Sequence, residues 1–200
     1  LYSSDRSISI DETDFGLTSI GENRMQSFIP TPLHPAIVHL PIALSVLLPF
    51  FAIGTMVAIG RGARPLKAWG ITTALFAALT LSSWLAVETG EQQTERVEQV
   101  IAEAPIETHE EAAEAFLLFS LGVLGVAAVG LTSGKLGTVA RVAGTVGALA
   151  LVGAGYQVGH TGGKLVYQYG AASAYTDGNT VVRAGEVTTD RATTSDDDDR

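Results

Sequence analysis

The sequence contains no cysteine. That excludes disulfides, thiolate metal sites, iron–sulfur clusters and covalent CxxCH haem attachment. Charge is also scarce, at 16% of residues, where a soluble domain carries about a quarter. The scarcity is local. Residues 36–60, 68–87, 115–134 and 142–163 hold no Asp, Glu, Lys or Arg at all. Basic charge is missing as well: the net charge is −9 and no basic patch offsets it. That balance excludes nucleic acid as a partner. No GxSxG is present, and Gly162-Gly163 follows an apolar run instead of opening one, so neither a nucleophile elbow nor a phosphate loop is read.

The four charge-free runs are what the sequence does have. A helix rises about 1.5 Å per residue, and about 20 residues cross a bilayer core about 30 Å thick. Each run is long enough. Each is continuously apolar instead of alternating, so each predicts a helix and not a barrel strand. The expected fold is all-α: a four-helix transmembrane bundle over residues 34–172, with helices at about 36–60, 66–88, 109–133 and 138–160. Residues 1–33 read as a polar arm and 173–200 as an acidic, flexible tail with a strand-like piece at Thr180-Val181-Val182. The chain begins at Leu1, which reads as a processed or incomplete N-terminus. The arm lacks the basic-then-apolar pattern of a signal peptide.

Orientation follows from the connections. Arg61, Arg64 and Lys67 lie in the first, and Lys135 and Arg141 in the third. The middle connection, 88–111, holds eight glutamates against Arg96 alone. The positive-inside rule puts the two basic connections in the cytoplasm of a prokaryotic cell and both termini outside. Trp84, Tyr156, Tyr167 and Tyr169 then fall near the outer interface. Thr108-His109-Glu110-Glu111 has a capping-box pattern and predicts the start of the third helix. Residues 91–103 read as a short surface helix lying on the membrane. Glycine and alanine crowd the fourth helix, as tight helix contacts require.

All four histidines, His34, His39, His109 and His160, fall at the outer side of this topology. Bis-histidine ligation of a haem b takes one imidazole from each of two facing helices at similar depth. His39 and His160 are the expected axial pair for haem iron, with His109 in reserve. His34 ranks last: five residues from His39, it is turned about 140° away on a helix, and Pro35 suggests that it precedes the helix. Two other readings stay open. The histidines cap helix ends, or His109 joins Glu107, Glu110 or Glu111 and a second histidine around zinc or copper. Glu114 and Glu88 are candidate hydrogen-bond partners of a histidine.

Several stretches resemble one prokaryotic membrane-protein family, the domain of unknown function 2231. Leu33 to Leu44 (LHPAIVHLPIAL) is similar to its HPxxVHFPIAL opening. Glu88-Thr89-Gly90-Glu91 and Ile106-Glu107-Thr108-His109-Glu110 resemble its acidic stretch and its HE pair. Gly159-His160-Thr161-Gly162-Gly163-Lys164-Leu165-Val166-Tyr167, with Gly170, resembles its GHxGGxLVYxHG ending. The likeness covers about residues 30–172. Leu40 replaces the usual phenylalanine, and Tyr169 stands where the family often has histidine. Related domains occur fused to cytochrome c-like modules, so the resemblance implies a redox setting. The expected function is a b-type haem-binding electron-transfer subunit at the outer face, more plausibly a carrier than an enzyme, working with other membrane or periplasmic redox proteins. The alternative is a haem-free structural subunit of a larger membrane complex.

Overall fold

The computed structural model describes residues 32–176. The polar arm up to residue 31 and the tail from 177 onward, including the strand-like Thr180-Val181-Val182, lie outside the described residues. The described chain is helical throughout: α1 (His34–Ile37), α2 (His39–Gly60), α3 (Pro65–Glu98), α4 (Glu103–Val129), α5 (Gly134–Tyr167) and a closing 3-10 turn (Ala171–Tyr175). Four helices are long and apolar enough to cross a membrane. They form a closed ring in which α2 packs on α3, α3 on α4, α4 on α5 and α5 back on α2. The basic turns, residues 61–64 and 130–133, share one end with Lys67, Lys135 and Arg141. The opposite end holds α1, the 99–102 turn and the 3-10 turn, ringed by exposed glutamates such as Glu91, Glu95, Glu103 and Glu107.

The helices outrun the charge-free stretches at the acidic end. α3 and α5 have 34 residues each, or roughly 50 Å against about 30 Å of hydrocarbon. The surface helix expected over 91–103 is instead a direct continuation of α3 to Glu98, because its Glu and Gln residues favour helix and nothing before the 99–102 turn breaks it. α4 starts six residues before His109. Pro105 sits in its first turn, where a missing N–H costs nothing, and Glu103 faces the positive end of the helix dipole. Thr108 is no cap: its hydroxyl donates to the Ala104 carbonyl within the helix (2.9 Å). α5 runs through Gly162-Gly163 and ends at Tyr167. The chain reverses only at Gly170, whose φ of 77° belongs to the left-handed region that glycine enters freely. The 3-10 turn then docks on the α3 extension. Tyr175 Oη donates to Gln93 Oε1 (3.0 Å), and the Arg96 guanidinium lies 5.3 Å from the Tyr175 ring centre. Burial raises the pKa of this phenol, with Arg96 pulling it the other way, so it stays a donor at neutral pH.

The core is a layer of Leu48, Phe76, Leu79, Phe116, Val123 and Leu151 between the helices. The outward faces are equally apolar, with Phe50, Leu81, Leu118 and Val146 well exposed. A bundle surrounded by lipid has no reason to hide them. Ser83 satisfies its hydroxyl on its own helix, at the Leu79 carbonyl (2.8 Å), Thr72 bonds Thr55 across to α2 (3.0 Å), and the buried Thr80 hydroxyl has no partner among the described residues.

Candidate functional site

The helical hydrogen-bond ladder is interrupted at Val38, between α1 and α2, although Val38 keeps right-handed helical angles. Pro41 causes the break, because it lacks the N–H that would bond Ile37 and its ring crowds that carbonyl. The break leaves His34 on a separate turn that packs on α3. Its Nδ1–H donates to the Ala86 carbonyl (2.8 Å). A carbonyl can only accept, so Nδ1 carries the proton and Nε2 keeps its lone pair. The ring lies against the α3 backbone at Gly90, where a Cβ would come within 3.2 Å of it.

His109 reaches the same place from α4. Its Nδ1 is 3.0 Å from Thr161 Oγ1 on α5, and Thr161 Oγ1 is 3.0 Å from the Val158 carbonyl. Thr161 Oγ1 thus lies between the His109 ring and the Val158 carbonyl, and the side on which its one proton sits sets the His109 tautomer. Gly162 makes room for this ring, since a Cβ there would meet His109 Cε1 at 3.0 Å. The two imidazoles stand 6.4 Å apart, centre to centre, at 83° to each other. All four long helical units of the ring contribute to this one spot: α1 with α2, α3, α4 and α5.

His39 and His160 are both exposed. His160 lies flat on Tyr156, one turn earlier on α5, with ring centres 5.9 Å apart and 10° between planes. Of the three histidines read from the sequence as cofactor-binding, only His109 enters the cluster, and its partner is His34. Glu88 and Glu114 are exposed and bond no histidine among the described residues. Glu110 Oε1 instead accepts from Thr94 (2.7 Å), pinning α4 to α3 beside the site. Among the described residues no group of three or more His, Asp or Glu is placed to hold a bare metal ion, so the zinc or copper set is not assembled.

Sequence reasoning ranked His34 last and gave Thr161, Gly90 and Gly162 no part in the site. The signals were present: Pro41 two residues into α2, and glycines in the Glu88-Thr89-Gly90-Glu91 and Gly159-His160-Thr161-Gly162-Gly163 stretches.

What the arrangement can do chemically follows from the lone pairs. An imidazole nitrogen binds a transition metal at about 2.0–2.1 Å, so two rings on opposite sides of one metal have centres roughly 6 Å apart. The observed 6.4 Å is of that size, the rings meet edge to face, and the Ala86 carbonyl and the Thr161 hydroxyl hold their Nδ1 atoms. Comparison of the chain with protein-family models, with curated proteins and with solved structures returns no match.

Proposed function

We propose that this chain is an integral membrane b-type haem-binding redox subunit, with His34 and His109 as the axial ligands. The observation that carries the reading is the pair of imidazoles from two helices, 6.4 Å apart between centres, each with its Nδ1 hydrogen-bonded within the protein. The donor set fits haem iron, which takes two axial nitrogens and needs no third protein ligand. Bound haem supplies a one-electron iron couple at this position. The chain's own residues hold and orient it: Ala86 and Thr161 set the two rings, and Gly90 and Gly162 let them lie close to α3 and α5. The likeness of residues 33–44 and 159–167 to the domain of unknown function 2231 supports the same reading, and membership of that family is part of the proposal.

The test is a visible spectrum of the detergent-purified protein, oxidised and then reduced with dithionite. A Soret band that shifts, with resolved α and β bands on reduction, is the expected result. A folded protein with no visible absorbance sinks the haem reading and leaves the haem-free accessory subunit standing.

The proposal places the acidic end and the histidine pair outside the cytoplasmic membrane of a prokaryote, because Arg61, Arg64, Lys67 and Lys135 gather at the other end. The absence of native cysteine makes this easy to check. Ala102→Cys, in the acidic turn, should react with a membrane-impermeant maleimide on intact cells. Ala63→Cys, in the basic turn, should react only after lysis. The opposite labelling pattern would invert the topology.

A further inference from the structure

The exposed face of α5 changes character along its length. Val142, Val146, Leu149 and Val152 line it first, and Tyr156, His160, Lys164 and Tyr167 follow. The helix has 34 residues, where about 20 cross the hydrocarbon. Its last turns therefore stand at the depth of the lipid headgroups, at the acidic end of the bundle. Thr161 and Gly162, which meet His109, lie on the other side of the helix from this strip.

A groove of about 450 Å³ opens there, lined by Gly159, His160, Gly163, Lys164, Tyr167 and Gln168. No atom lies within 4 Å of where a Cβ on Gly159 or Gly163 would stand, so these positions leave the floor open. His160 lies flat on Tyr156, with 10° between planes, which fixes the wall that its ring makes. Lys164 supplies a positive charge. α5 contains no Asp or Glu, so nothing on its own helix neutralises that charge. The Tyr167 hydroxyl, the Gln168 amide and the His160 ring add hydrogen-bond donors. A cation beside several donors suits the oxygens of a phosphate group. His160, Lys164, Tyr167 and Gln168 are all exposed, on the face that meets lipid, so the phosphate within reach is the phosphodiester of a phospholipid. A zwitterionic headgroup carries an ammonium that already neutralises its phosphate. An anionic headgroup has none, and gains most from Lys164.

We propose that this groove binds the headgroup of one anionic phospholipid from the leaflet at the acidic end, with Lys164 on the phosphate and Tyr167, Gln168 and His160 around it. The site is separate from the His34–His109 pair and holds its lipid whether or not haem is bound.

The experiment is nitrogen-15 NMR of the full chain, histidine-labelled, in detergent. The His160 signal is assigned by its loss in His160→Gln, and short-chain phosphatidylglycerol is titrated in. That signal should shift and saturate. Phosphatidylcholine of the same chain length should need about 5-fold more lipid, the worth of one lysine near a charged membrane surface. Inorganic phosphate at equal concentration should leave the signal in place. Lys164→Gln should weaken phosphatidylglycerol binding by the same factor of about 5. Gly163→Leu fills the floor without meeting any neighbour in the bundle, so it should abolish the saturable shift while the thermal melt stays at the wild-type value. The absence of a saturable shift in the wild type overturns the proposal. So does equal binding of the two lipids, or a Lys164→Gln protein that binds as the wild type does. A shift produced by inorganic phosphate alone overturns it too, since the groove is then a site for small anions and not for a lipid.

Discussion

Replacing His109 or His34 with alanine should each abolish the low-spin haem spectrum, while His39→Ala and His160→Ala should leave it intact. The argument is geometric. His34 and His109 meet edge to face, 6.4 Å apart between centres, and each Nδ1 is hydrogen-bonded within the protein. His39 and His160 are exposed on the outer faces of α2 and α5, and the His160 ring is already stacked on Tyr156. Loss of a group that merely orients a metal ligand costs about 10–100-fold in affinity, so loss of the ligand itself should cost no less. The bundle should survive both inner substitutions. Each removes one hydrogen bond of about 1 kcal/mol, and the core layer of Phe76, Phe116 and Leu151 is untouched. Haem content per folded protein, read beside a thermal melt, separates ligand loss from unfolding. If the two outer variants lose the spectrum and the two inner ones keep it, iron sits on His39 and His160.

Trp69→Ala should be the most destabilising single change away from the site, by about 3 kcal/mol, at the low end of the range for removing a buried aromatic. Trp69 on α3 is fully buried at the basic end. Its indole N–H donates to the Ala127 carbonyl on α4 (2.9 Å), which Thr73 also bonds (3.3 Å). Gly130 and Gly144 make room for the ring: a Cβ on Gly130 would strike the indole nitrogen, and one on Gly144 would lie 3.3 Å from Trp69 Cζ2. One side chain thus joins α3, α4 and α5. Lipid is as apolar as the core, so the transfer contribution is small in a membrane. The lost packing and the lost hydrogen bond remain. Arg141 does not compensate, because its guanidinium is already bonded to the Gly130 and Thr132 carbonyls (2.7 and 3.3 Å). Trp69→Phe fills most of the space and should cost about 1–2 kcal/mol, mainly through the missing N–H. Equilibrium unfolding in mixed micelles measures both. A loss below about 1 kcal/mol for Trp69→Ala would mean that the three helices hold together without this joint. The haem spectrum should not change in either variant, because about 20 residues of α3, or roughly 30 Å, separate Trp69 from Gly90.

The four membrane-crossing helices were legible because a bilayer core rejects charge, and charge is visible residue by residue. Helix ends in water were not. There the stop is set by turn geometry, so α3 ran past Glu88 to Glu98 and α4 began at Glu103 instead of at the Thr108 pattern. The separation of His34 from His39 was also legible from their five-residue spacing and from Pro35. What the spacing left open was which of the two faces inward. In a soluble helix the polar face answers that question. α2 is apolar all round, with Phe50 exposed and Leu48 buried two residues apart, so its sequence carries no such mark.

The sequence by itself determined a chain of four membrane-crossing helices, a basic end and an acidic end, and four histidines gathered near the acidic one. Only the tertiary structure decided that His34 meets His109, that Ala86 and Thr161 hold their Nδ1 atoms, and that Gly90 and Gly162 make the room. The reason is that exclusion of charge from lipid acts on each residue separately, whereas the pairing of two imidazoles depends on the rotation of every helix about its own axis. That rotation is settled by packing between helices, at a proline break and at two glycines, where no single residue holds the information.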